Sequence, residues 1–198
     1  MPRIETWFPE SIYIEENFSL DLIPGIKKTI LEKNVLTQRS DSFNIESTHL
    51  ENRNMHLQPK FSVLANRIEE HCKVYAKMLG YNTESIDSLF LCSMWYNISY
   101  KTDFLFPHNH AGAVISGVFY VDSSEIDKII FYNDLNKFTS MPENTNELSH
   151  LQATYPCITG ALYLWRGNFM HGNPKQHSDQ KIAISFNTAI ERIKGNSY

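Results

Sequence analysis

The hydrophobic rhythm of the chain changes near residue 89. Before that point apolar residues recur at helical spacing. In SLDLIPGIKKTILEKN, Leu20, Ile23, Ile26, Ile30 and Leu31 fall near a helical period interrupted by Pro24-Gly25, so a helix is predicted over 24–33 with Pro24 in its first turn. In FSVLANRIEEHCKVYAKMLGYN, Val63, Leu64, Ile68, Cys72, Tyr75, Met78 and Leu79 trace one face, and Gly80 supplies the stop. The polar stretch 34–60 reads as irregular strand and loop. From residue 89 the period is two: LFLCSMWYNISYK, AVISGVFYV, KIIFYN, ALYLW and KIAISFNTAI alternate, and turn residues fill the gaps, as in KTDFLFPHN, DSSEID, MPENTNELS, CITG and GNPKQHSDQ. Several short strands behind two helices predict a mainly β, α+β molecule: a sandwich or barrel with helices packed on one face.

Composition narrows the function. The 198 residues suffice for one sizeable core, so a single domain over 1–198 is expected, with 1–88 as support and 89–192 as the β core. Aromatic residues make up 13%, which favours a β-rich interior. Eighteen Lys and Arg against 22 Asp and Glu give a net charge of −4, with no long basic cluster, so nucleic acid is not an expected partner. The three cysteines, Cys72, Cys92 and Cys157, form neither a disulfide framework nor a CxxC pair. They read as free thiols in a reducing compartment. No export signal is read at the start of the sequence and no apolar run approaches ~18 residues, so a cytoplasmic protein without a membrane span is expected. Glycine-rich nucleotide loops, GxSxG and HExxH are missing.

The candidate chemistry lies in FPHNHAGAVISGVFYV. His108 and His110 stand just ahead of an apolar strand, and in an extended segment residues i and i+2 point to one face. A third histidine, His171, closes GALYLWRGNFMH where an apolar strand gives way to a turn. Three imidazoles suit Fe(II), Zn(II) or Cu(II) and leave open positions on the ion. The pair alone is equally readable as two loop histidines. His71, on the helix, and His49, His56, His150 and His177, in polar joins, read as structural or surface residues.

The ordered set of motifs is similar to the 2-oxoglutarate/Fe(II) oxygenases related to prolyl 4-hydroxylases, of phage and bacterial type. The motifs are Trp95-x-Asn97, Pro107-His108-x-His110, Ser116-Gly117-Val118-x-Tyr120, Gly160-x-Leu162 followed by His171, and KIAISFN from Lys181 to Asn187. The likeness covers residues 94–187. It implies a double-stranded β-helix of jelly-roll or cupin type, and an enzyme that couples oxidative decarboxylation of 2-oxoglutarate to hydroxylation. It implies Fe(II) and 2-oxoglutarate as cofactors and O₂ as cosubstrate. The substrate would be a peptide side chain or a small molecule, unidentified. It implies His108 and His171 as iron ligands, with His110 standing where most relatives have a carboxylate. It also implies Lys181 and Tyr120 as anchors of the 5-carboxylate, with Asn97 nearby. Two departures stand out: Lys181 and Ala183 replace Arg and Ser, and Trp165-Arg166 replaces Phe-Pro. Arg166 then becomes a second cation for the cosubstrate, the substrate or the surface. Asp103 and Asp134 remain alternatives to His110. A three-histidine cupin-like metalloenzyme without 2-oxoglutarate, and an inactive jelly-roll binding protein, are the competing readings.

Overall fold

The computed structural model describes residues 2–4, 9–32, 38–40, 45–133, 140, 142–144, 146 and 148–191. The long alternating segments are strands, and several short strands join them. In chain order they are β1 (Ile12–Glu15), β2 (Gln38–Ser40), β3 (Ile45–Ser47), β4 (Leu89–Tyr100), β5 (Leu105–His108), β6 (Ile115–Asp122), β7 (Lys128–Tyr132), β8 (Gln152–Pro156), β9 (Leu162–Arg166), β10 (His171–Asn173) and β11 (Gln180–Ile190). The helices are α1 (Ile23–Leu31), α2 (Ser62–Met78) and α3 (Thr83–Asp87). A seven-stranded sheet runs β1-β9-β6-β11-β4-β3-β2, and a four-stranded sheet runs β5-β10-β7-β8. The two sheets form the double-stranded β-helix expected from the sequence.

Strands β6 and β9 at the centre of the larger sheet are buried on both faces, which explains their near-continuous apolar character, while the start of β4 keeps one exposed face. One face packs on α1 and α2. Met94, Tyr96 and Ile98 from β4, Phe119 and Val121 from β6, Leu162 and Leu164 from β9, and Ile182, Ile184 and Phe186 from β11 meet Ile26, Ile30, Leu64, Ile68 and Cys72 there. The alternate residues, among them Val118, Tyr120, Tyr163, Trp165 and Ala183, turn inward with Ile129 and Phe131 of the smaller sheet. Period two therefore decides which residues reach the interior of the β-helix. Gly117 is required where the sheet is tightest: a Cβ there would meet Leu164 Cδ2 at 2.7 Å and the Phe186 ring closer still.

Two expectations about the helices shift. The first helix spans Ile23–Leu31 rather than 24–33, with Pro24 in its first turn as read. On α2, Val63 and Met78 do not belong to the packed stripe; Met78 is 72% exposed. The buried face is Leu64, Ala65, Ile68, Cys72, Tyr75 and Ala76. At 100° per residue Val63 falls opposite that face, and the two alanines complete it. His71 is structural: its Nδ1 lies 2.8 Å from the Tyr13 hydroxyl and its ring packs edge-on against Phe18. Among the described residues no helix is long and apolar enough to cross a membrane.

Candidate metal centre

Strands β5 and β10 pair antiparallel with His108 directly opposite His171. A side chain at 172 would meet the Leu105 carbonyl oxygen at 2.8 Å, so Gly172 is what lets β10 lie close against β5. His110 lies beyond the end of β5, in the turn leading to β6. Its backbone N–H donates to Gly167 O at 2.7 Å and its carbonyl accepts from Ala113 N at 3.0 Å. The turn, more than an extended i, i+2 repeat, brings the third ring in. The three imidazoles each offer a nitrogen within 4.8 Å of the others, and among the described residues they are the only His, Cys, Asp or Glu group of this kind. Ring centroids are 4.4 Å apart for His108–His171, 5.0 Å for His110–His171 and 5.2 Å for His108–His110.

Hydrogen bonds fix which nitrogen faces the cluster. His108 Nδ1 donates to Phe106 O at 2.9 Å, and His171 Nδ1 donates to Phe169 O at 2.9 Å. A carbonyl can only accept, so both rings carry the Nδ1–H tautomer and keep the Nε2 lone pair free. His110 Nδ1 lies 2.6 Å from Asn187 Oδ1, which also accepts from the Ser116 hydroxyl at 2.7 Å. All three rings thus have an oxygen acceptor behind them, the arrangement that orients imidazoles toward an ion. Burial keeps them uncharged. It lowers His171 to about 3, with the neighbouring His108 adding to the effect, and His110 to about 4 against the opposing pull of Asn187. His108 is also lowered, chiefly by burial. Neutral imidazole is the form that binds metal.

A cavity of about 610 Å³ opens beside the cluster. Its wall is the inward face of the larger sheet: Trp95, Asn97 and Ser99 from β4, Tyr120 from β6, and Lys181 and Ser185 from β11. Lys181 is only 5% exposed, and its ammonium has no hydrogen-bond partner among the described residues. The Lys181 charge acts on Asp127, a buried carboxylate. Asp127 accepts from His177 N at 2.7 Å, Ser178 N at 3.2 Å and the Ser178 hydroxyl. Burial pushes the Asp127 carboxyl up, but these donors and Lys181 together hold it below its usual value. Tyr120 is 1% exposed, and its hydroxyl shares a hydrogen bond with Cys157; burial raises its pKa well above the usual value.

A family model described as "Putative 2OG-Fe(II) oxygenase" matches residues 93–187. Over these residues the chain is similar to the 2OG-Fe(II) oxygenases. The chain is also similar in fold to solved structures. One is SnoN, a non-heme alpha ketoglutarate dependent epimerase from nogalamycin biosynthesis, with a TM-score of 0.67 at 12% identity over 91% of this chain and 79% of that one. HygX from Streptomyces hygroscopicus, with nickel and 2-oxoglutarate bound, gives 0.64 at 11% over 92% and 84%. A prolyl-4-hydroxylase from Pseudomonas putida gives 0.64 at 8% over 92% and 94%. At these identities the likeness is one of fold. A search of curated proteins finds no match.

The fold brings five of the seven residues singled out from the sequence to the cavity: His108, His110, His171, Lys181 and Tyr120. Asn97 lines it too, but its side chain is partly engaged, accepting from Ser47 Oγ at 2.7 Å and donating to Ser185 Oγ at 3.0 Å. Arg166 is not among the cavity's lining residues: its Nε donates to Glu10 at 3.1 Å, an ion pair toward the chain's start. Asp103 lines the cavity but stands outside the histidine group, its carboxylate accepting the Tyr100 N–H at 2.8 Å. Asp134 lies outside the described residues. Two residues escaped the sequence reading. Asn187 backs His110, and its place at the end of the KIAISFN strand was the available signal. His49, read as a surface residue, lines the cavity with its ring 4.8 Å from that of Trp95.

Proposed function

We propose that the protein is a non-haem iron oxygenase that uses 2-oxoglutarate and O₂ to hydroxylate a peptide side chain or a small molecule. His108, His110 and His171 hold Fe(II) through Nε2, and Lys181 holds the distal carboxylate of 2-oxoglutarate. The observation that carries this reading is the convergence of three uncharged, oriented imidazoles on the cavity that also contains a buried lysine. The donor set fits the ion, because imidazole suits Fe(II) and three protein ligands leave positions open. Fe(II) and 2-oxoglutarate together supply the oxidising chemistry, with O₂ consumed and succinate and carbon dioxide released.

The chain's own residues bind, orient and exclude water. Phe106 O, Phe169 O and Asn187 hold the three rings in one tautomer each. A carboxylate entering this apolar interior would cost several kcal/mol unpaired, and the Lys181 ammonium offsets that cost. Tyr120, kept protonated by burial, is placed to donate to the same carboxylate once its hydroxyl leaves Cys157. Asn97 retains one amide hydrogen for the cavity. Trp95, Trp165 and Val118 keep the walls dry.

Anaerobic titration of the Fe(II) protein with 2-oxoglutarate tests the proposal. A weak visible charge-transfer band is expected, and it should vanish in His171→Ala. The all-imidazole donor set favours one rival, a three-histidine metalloenzyme that does not use 2-oxoglutarate. Bound iron without any band identifies that rival.

A further inference from the structure

We propose that the substrate is an anion carrying an apolar stretch, and that Arg53 is the side chain that holds its charged group. The inference rests on the iron and 2-oxoglutarate reading and names the substrate class for it.

The charge inventory of the cavity leads to this conclusion. Three side chains with permanent charge line it: Arg53, Asp103 and Lys181. The sole carboxylate, Asp103, is buried and already accepts the Tyr100 N–H. Three neutral imidazoles add no negative charge, unlike a ligand set that includes a carboxylate. A divalent ion is therefore balanced by the cosubstrate dianion alone, and Lys181 has the Asp127 carboxylate behind it. Asp103 turns to the Tyr100 N–H, and among the described residues no carboxylate forms an ion pair with Arg53. Arg53 is exposed and lines the cavity, so a cationic substrate would meet its repulsion and an anion would pair with it.

Position supports the assignment. The Arg53 carbonyl accepts the Met94 N–H of β4 at 2.7 Å, and Asn54 bridges to Met94, so the backbone is pinned to the sheet. Arg53 Nε donates to His49 O at 2.8 Å. That bond uses one corner of the guanidinium and is the only side-chain hydrogen bond of Arg53 among the described residues, so the two terminal amino groups remain for a ligand, in the planar fork that suits a carboxylate or phosphate. The His49 ring lies 4.8 Å from that of Trp95, whose ring is 5.9 Å from that of His110. His49 and Trp95 thus lie between Arg53 and the metal centre. Ile45, Leu50, Phe104 and Leu105 line the same cavity and supply an apolar wall for the rest of the molecule.

The test uses 4-phenylbutyrate and its uncharged isostere 4-phenylbutyramide as probes. Paramagnetic relaxation of the probe protons is recorded with the Mn(II)-loaded protein held saturated in 2-oxoglutarate, so that the carboxylate probe cannot take the cosubstrate's place. The carboxylate is expected to bind at least about fivefold more tightly than the amide, and Arg53→Gln should erase the difference while Arg53→Lys keeps part of it. Equal relaxation by both probes, relaxation by neither, or a preference that survives Arg53→Gln overturns the inference. Loss of 2-oxoglutarate binding in Arg53→Gln, read by calorimetry, also overturns it by assigning Arg53 to the cosubstrate. Failure of the parent protein to bind Mn(II) or 2-oxoglutarate refutes the underlying function instead, and the calorimetry reports that separately.

Discussion

Replacing Lys181 with methionine separates what the lysine does for the fold from what it does for the ligand. The side chain is 5% exposed, and no described residue hydrogen-bonds its ammonium. Removing one member of a buried charge pair costs about 3–5 kcal/mol, because the other is left unpaired. The cavity can readmit water around an unpaired carboxylate, which favours the lower end. About 3 kcal/mol corresponds to a roughly hundredfold loss of 2-oxoglutarate affinity at 1.4 kcal/mol per tenfold. In the free protein the sign reverses. There the ammonium is desolvated with only the charge of Asp127 for compensation, and Asp127 keeps its three donors from His177 and Ser178 when the lysine is gone. A methionine of similar length should leave the free protein as stable as the parent, or more stable by about 1 kcal/mol. Calorimetry with the Mn(II)-loaded protein gives the affinity, and thermal unfolding with and without 2-oxoglutarate gives both signs. The parent should gain about 2.7 kcal/mol at a hundred times its Kd, and the variant close to nothing at that concentration. Binding within about threefold of the parent would refute the role given to Lys181.

Other outcomes follow from the same geometry. The folded values of His110 and His171, about 4 and 3, lie below the unfolded value near 6.5. Below 6.5 the unfolded chain takes up protons that the folded chain refuses, so the metal-free protein should be most stable above pH 6.5 and lose stability steadily down toward pH 4. Unfolding midpoints across pH 4.5–8 should show that slope, and His171→Gln should reduce it; a flat profile in the parent contradicts the burial argument. Arg166→Gln should leave 2-oxoglutarate binding unchanged by calorimetry and cost at most about 1 kcal/mol of stability, since its partner is the part-exposed Glu10. A marked rise in Kd would return Arg166 to the cavity.

The long strands of the larger sheet, β4, β6, β9 and β11, were legible in the sequence because both their faces carry information. In KIAISFN, Ile182, Ile184 and Phe186 face the helices while Lys181, Ala183, Ser185 and Asn187 face the cavity. The short strands were not legible. Leu105–His108 and His171–Asn173 are four and three residues long and read as turns, since their pairing depends on Gly172 admitting a neighbouring backbone. The histidine trio could be suspected from order and spacing, yet the position of His110 comes from a turn fastened to Gly167 and from Asn187, some 77 residues away. Arg166 shows the opposite failure. Proximity in sequence to His171 suggested the cavity, but it ends β9, where Glu10 is close enough to pair. His49 was hidden because residues 34–60 carry no clear period, and the bond of Arg53 to its carbonyl and the contact with Trp95 reveal its place.

The claim on which the rest depends is that three imidazoles share one ion. X-ray absorption of the anaerobic Fe(II) protein counts imidazole rings at the metal directly. The account predicts one iron per chain with three imidazoles, falling to two in His110→Ala and remaining three in Asp103→Asn. Two imidazoles in the parent, unchanged by His110→Ala, would contradict it.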